Sequence, residues 1–134
     1  MTKETTLREL LILAIQKGAS DLHLTENTPP ILRIDGELIR TEYAPLNREQ
    51  LQILIYENLS AGQRKQFEDL KELDFSLALS GLDRFRVNVH MQRGVVEAAF
   101  RRVSLFIPSM EELQLPPIIG DLARKQYGLV LLTG

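Results

Sequence analysis

Hydrophobic and polar positions divide the chain into short elements with clear stops between them. Leu7, Leu10, Leu11, Ala14 and Ile15 recur on one stripe of a helix. It is opened by the capping box Thr6-Leu7-Arg8-Glu9 and stopped by Gly18 after Lys17. A short strand over 20–25 follows, with Leu22 and Leu24 on one side and Asp21 and His23 on the other. Glu26-Asn27-Thr28-Pro29-Pro30 is a turn, and residues 31–34 and 37–40 flank Asp35-Gly36, a strong hairpin signal. Asn47 with Gln50 opens a helix that carries Leu51, Leu54 and Ile55 inward. Ser60 with Gln63 opens a second, running to about Leu70 and anchored by Phe67. Leu73, Phe75, Leu77 and Leu79 alternate as a strand, turned back by Ser80-Gly81-Leu82-Asp83.

The longest ribbon is 84–102. Phe85, Val87, Val89 and Met91 point one way and Arg84, Arg86, Asn88 and His90 the other, the period of a half-buried strand. Folded back over a two-residue loop at Arg93-Gly94, Val87 faces Phe100, Val89 faces Ala98 and Met91 faces Val96. A four-residue loop keeps that register, whereas a three-residue loop sends one arm's apolar set to the wrong side. The polar face then sets His90 against Glu97, Asn88 against Ala99 and Arg86 against Arg101. Like charges directly opposite destabilise a sheet, while guanidinium forks are preferred ligands for phosphate and carboxylate. On pattern alone two readings stay open. One is an anion clamp on a rigid platform; the other is a wet face whose arginines splay into water or pair with nearby acids.

Strands in runs separated by helices imply an α+β domain, an antiparallel sheet with helices packed against it, closing near Val103. The rest changes character. Ser109-Met110-Glu111-Glu112 is a further capping box, Pro116-Pro117 ends that short helix, and 118–127 reads as another helix stopped by Gly128. Leu129, Val130, Leu131 and Leu132 are apolar at every position, the pattern of a strand buried on both faces inside a parallel α/β sheet. This predicts a first domain that closes near Val103 and the truncated opening of a second one.

Composition narrows the chemistry. A chain of 134 residues is long enough to bury a core without staples. A net charge of −2 argues against a general nucleic-acid surface. The absence of cysteine removes disulfides, thiolate catalysis and cysteine-ligated zinc, and suits a reducing compartment. No stretch reads as a signal peptide or a membrane span, the apolar run over 10–15 being too short. Asp21 and His23 share a face without a visible third ligand, so a polar edge or subunit contact is the expectation and no metal site is assigned.

A strand ending in Thr133-Gly134 is how the first strand of a P-loop domain ends, with Gly134 as the first Gly of G-x-x-x-x-G-K-[ST]. Together with Gly18-Ala19-Ser20-Asp21-Leu22-His23-Leu24, Arg33-Ile34-Asp35-Gly36-Glu37-Leu38, Leu73-Asp74-Phe75-Ser76, Arg84-Phe85-Arg86-Val87-Asn88, Gln92-Arg93-Gly94, Phe100-Arg101 and Met110-Glu111-Glu112-Leu113, the chain resembles the PilT-type twitching-motility ATPases of the secretion-ATPase superfamily. The resemblance implies a PAS-like N-terminal domain over 1–103, a hinge over 104–108 and the truncated start of a RecA-like domain over 109–134. In the family these form cytoplasmic homo-hexameric rings at the inner membrane. The rings use ATP and Mg²⁺ to drive type IV pilus retraction against a platform protein, without membrane insertion or nucleic acid. It implies further that Arg86 and Arg101 contact the terminal phosphate of the nucleotide. Arg84, Arg93 and Arg102 are expected to be solvated or ring-interface charges. Asn27 and Gln114 stand where the family commonly has Gly, and Asn tolerates the left-handed backbone. With no Walker lysine after Gly134, the chain by itself is expected neither to hydrolyse ATP nor to hold it tightly.

Two alternatives compete. One is a pilus-assembly or type II secretion ATPase of the same superfamily, which usually carries extra domains ahead of this one. The other is a free-standing PAS-like sensory or interaction module, which has no use for an orphan strand over 129–132.

Overall fold

A computed structural model describes residues 5–134. Three helix starts carry complete capping boxes, and each sits where the sequence places it. Thr6 and Glu9 open α1 (Leu7–Gln16), Asn47 and Gln50 open α2 (Arg48–Tyr56), and Ser60 and Gln63 open α3 (Ala61–Leu70). The strands are β1 (Asp21–Leu24), β2 (Ile31–Ile34), β3 (Glu37–Arg40), β4 (Glu72–Ala78), β5 (Arg84–Gln92) and β6 (Val95–Val103). They form one six-stranded antiparallel sheet in the order β3-β2-β1-β6-β5-β4. The α+β expectation is met.

Turn chemistry sets the register of both tight hairpins. Asp35 and Gly36 have φ of 49° and 85°, and Arg93 and Gly94 have 51° and 78°. Positive φ at both central residues is what a two-residue turn needs to match the twist of its strands. In β5 and β6, Val87 accordingly faces Phe100, Val89 faces Ala98 and Arg86 faces Arg101, the pairing expected from the alternation. One face of the sheet is apolar and receives the helices, with α1 on β1, α2 on β6 and α3 on β4. Phe67, Phe85, Phe100, Leu10, Leu11, Leu22, Leu24, Leu51, Ile55, Val87 and Val89 are its fully buried members. Tyr56 stands edge-on to Phe67, ring centroids 6.1 Å apart.

The long-range pairing is the part no local signal announces. Hydrogen-bonding of β1 to β6 brings Asp21 opposite Arg101, Leu22 opposite Phe100 and His23 opposite Ala99. The first strand of the chain is thereby zipped onto the last one.

Residues 104–134 depart from expectation. The Ser109–Glu112 box closes in both directions, at 2.7 and 3.1 Å, but supports a single turn and no regular helix. Gln114 ends that turn with φ 54°, taking the left-handed conformation in place of Gly. The helix expected over 118–127 is shorter, α4 (Ile118–Ala123), and Gly128 has φ 108°. The strand expected over 129–132 does not form. Leu129, Val130, Leu131 and Leu132 are 81%, 51%, 76% and 84% exposed and belong to no ladder. A strand buried on both faces needs hydrogen-bonding neighbours on both sides, and the described residues offer it none.

Asn27 has φ 55°, a conformation that costs a β-branched side chain about 1–2 kcal/mol. Urea denaturation should therefore find Asn27→Gly within a few tenths of a kcal/mol of the parent and Asn27→Val destabilised by about that amount.

Candidate functional site

The polar face of the sheet carries a cross-strand row that runs Ser76, Arg86, Arg101, Asp21, Arg33 from β4 to β2. Positions directly opposite in an antiparallel pair lie about 5 Å apart at Cβ, so Arg86 and Arg101 emerge side by side on one surface. The two predicted phosphate-contacting residues are brought together. Their environments are not alike.

Arg101 is tethered at one end. Its Nε donates to Asp21 Oδ1 at 3.0 Å, yet its side chain is 74% exposed. Asp21 is buried, with Oδ2 accepting from the Ser20 hydroxyl at 2.7 Å and lying 3.5 Å from Arg33 Nε. Arg33 also donates through Nη1 to the Gly36 carbonyl at 3.1 Å, which ties it to the β2–β3 turn. Burial by itself would raise the Asp21 carboxyl. The Ser20 hydroxyl and the hydrogen bond and charge of Arg101 outweigh it, with help from His23, and hold the group below the usual carboxylate range.

Arg86 is exposed, and its side chain makes no hydrogen bond or ion pair among the described residues. The acids of β4 do not reach it; Asn88 donates instead to Glu72 at 3.4 Å and Asp74 at 3.3 Å. Of the two readings left open by pattern, pairing with a nearby acid is thus realised for Arg101 and absent for Arg86. A second polar cluster lies further along the same face. His90 Nε2 is 3.7 Å from Glu97 Oε2, and buried Glu97 accepts from the Glu26 N–H at 3.3 Å. That contact ties the hairpin to the turn before the prolines, a structural role. Arg102, on the other parity of β6, is held by Asp83. Arg84 and Arg93 make no hydrogen bond or ion pair among the described residues, as solvated charges would.

Sequence reasoning grouped Asp21 with His23 and did not connect it to Arg101. Residues 80 positions apart share no local spacing signal, and only the β1–β6 register joins them. No group of three His, Cys, Asp or Glu able to hold a metal occurs among the described residues. The exposed guanidinium pair does suit a terminal phosphate, by charge and by fork geometry. Gly134 stands at the end of the exposed 129–134 segment.

No family model matches the chain. Individual proteins do. It is 40% identical over 128 residues to the type IV pilus retraction ATPase PilT of Pseudomonas aeruginosa, covering 96% of this chain and 37% of that protein. Over nearly its whole length the chain is a homologue of the PilT-type pilus ATPases. To the type IV pilus ATPase PilU of the same organism it is 36% identical over 126 residues, 94% of this chain and 33% of that one. The crystal structure of the pilus retraction motor PilT with bound ADP superposes with a TM-score of 0.76 at 38% identity, over 90% of this chain and 36% of the motor. The chain therefore spans about a third of the length of these relatives. No helix among the described residues is long and apolar enough to cross a membrane.

His23, on the same face as Asp21, has a buried Nε2 without a hydrogen-bond partner among the described residues. Burial, the largest cause, pushes its pKa below the usual histidine value; the Asp21 carboxylate pulls the other way, and the charges of Arg33 and Arg101 add to the lowering. The unfolded chain then takes up the proton first as pH falls through about 6.5, so folding stability declines below that pH until the folded imidazole also titrates. Denaturation series between pH 7.5 and 5 should show this decline, at no more than about 1.4 kcal/mol per pH unit, and His23→Gln should remove that component. A profile that His23→Gln leaves unchanged would refute the assignment.

Proposed function

We propose that this chain is the N-terminal portion of a hexameric, ATP-hydrolysing motor that drives type IV pilus retraction, and that Arg86 and Arg101 form its sensor for the terminal phosphate. The observation that carries the reading is the Arg86–Arg101 cross-strand pair, exposed on one surface of the sheet with one guanidinium left without a partner among the described residues. A repulsive pair of this kind is compensated when an anion arrives between the two forks.

In this reading residues 1–103 are the PAS-like domain, 104–108 a hinge, and 109–134 the opening of the RecA-like domain, with Gly134 as the first glycine of its phosphate loop. The exposed apolar run Leu129, Val130, Leu131, Leu132 fits a strand that finds its ladder partners in the remainder of such a domain. That remainder would hold ATP and supply the Walker lysine and the ligands of Mg²⁺. The triphosphate bridges the two domains through charge-assisted hydrogen bonds, and the diphosphate, lacking the outer phosphoryl group, cannot complete the bridge. Closure on one side of a ring and opening on the other would turn that difference into movement against a platform protein of the inner membrane, from the cytoplasmic side. Motors that transfer phosphoryl groups draw large rate effects from an arginine at the transferred group.

In the full-length protein, Arg86→Ala and Arg101→Ala should each lower ATP turnover by at least about 10²-fold, with Lys a poor substitute at either position. The chain as it stands should show no hydrolysis above that of an Arg86→Ala, Arg101→Ala double variant. Wild-type turnover in both full-length alanine variants, or hydrolysis by the chain that the double variant abolishes, would overturn the proposal.

A further inference from the structure

Asp21 touches one of the two arginines and not the other, and it does so at Nε. Its Oδ1 accepts from Arg101 Nε at 3.0 Å, while Oδ2 is engaged by Ser20 and faces Arg33. A carboxylate that grips a guanidinium end-on or fork-to-fork uses up the terminal nitrogens. One that binds Nε alone fixes the direction of the side chain and leaves Nη1 and Nη2 for another acceptor. No hydrogen bond occupies either Nη of Arg101 among the described residues, and the side chain is 74% exposed in spite of the tether. The carboxylate is itself held rigidly. It is buried, accepts from the neighbouring Ser20 hydroxyl at 2.7 Å, and stands on a strand hydrogen-bonded on both sides, to β2 and to β6.

We propose that Asp21 is a positioning residue, holding Arg101 by its Nε so that the two terminal nitrogens face an incoming phosphate, while Arg86 is the free arm that closes on the same group. This rests on the phosphate-sensor reading above and adds a division of labour within it. Fixing a long side chain in advance removes an ordering cost from binding. The same carboxylate also repels the anion, so its two effects on affinity have opposite sign. That opposition makes the proposal decidable.

The test uses the 134-residue chain at low ionic strength, with ATP and inorganic tripolyphosphate as probes and NMR detection of the arginine Nε–Hε groups. Asp21→Asn keeps an oxygen acceptor and discards the charge; Asp21→Ala discards both. The expected result is a distinct, slowly exchanging Nε–Hε signal for Arg101 in the parent and in Asp21→Asn that collapses into the solvent-exposed arginines in Asp21→Ala. Asp21→Ala should bind both probes about three- to tenfold more weakly than the parent, while Asp21→Asn binds at least as tightly as the parent. Denaturation curves establish that each variant is folded, and Asp21→Ser, whose hydroxyl is too short to reach the Arg101 Nε, stands in for the alanine variant if that one is not. An Arg101 signal that is already averaged in the parent, or unchanged in Asp21→Ala, overturns the positioning role. So does tighter binding by Asp21→Ala, which is what a carboxylate serving only to repel would produce. Arg86→Ala and Arg101→Ala in the same titration separate the two levels. If both bind the probes like the parent, the phosphate-sensor reading fails; if both bind more weakly and Asp21→Ala does not, only the role of Asp21 fails.

Discussion

A two-residue turn at Arg93 and Gly94 sets which side chains of β5 and β6 meet, and most of the polar face follows from it. The side-chain period of a strand is two, so a slip of one residue would carry Phe100 and Ala98 out of the core and scatter the arginines. With both turn residues at positive φ, Phe85, Val87 and Val89 lie under the helices and Arg86 and Arg101 stand opposite one another on the far side. The apolar face enforces this register far more strongly than the polar face opposes it. Burying several large side chains outweighs one surface repulsion between guanidiniums. The sheet can therefore sustain an unfavourable charge pair that would not persist on a free hairpin.

The second constraint is the docking of β1 on β6. It converts a symmetric-looking pair of arginines into an asymmetric one, because Asp21 arrives beside Arg101 and nothing comparable arrives beside Arg86. Burial of Asp21 would be costly for an unpaired carboxylate, and its lowered pKa reflects how completely Ser20 and Arg101 compensate. Arg33, on the next strand, is the second guanidinium beside this carboxylate, and Arg86 stands one position further along the row. Net positive charge remains on a face of a chain whose overall charge is slightly negative. This is how a local cationic row and an acidic protein coexist.

The segment after Val103 obeys different rules. Leu105, Phe106 and Ile107 are mostly exposed, as are the leucines of 129–132, so two apolar runs of this segment are uncovered. Its local signals are nevertheless kept. The Ser109–Glu112 box closes and Gln114 adopts the left-handed conformation that a glycine would take more readily. Caps and turns depend on four or five consecutive residues and form wherever those residues are. A buried strand depends on neighbours, and here they are missing from the described residues.

That contrast separates what was legible from what was not. Capping boxes at Thr6, Asn47 and Ser60, the hairpins at Asp35-Gly36 and Arg93-Gly94, and the alternation through Phe85, Val87 and Val89 were enough to place the helices, the sheet and the opposition of Arg86 to Arg101. Each is an interaction within a few residues or across a tight turn, so its geometry is written in local spacing. The strand order, the burial of Asp21 and its hold on Arg101 came only from the tertiary structure. Strands 80 residues apart have no turn to set their register, and their pairing is chosen by how the whole apolar face packs beneath the helices.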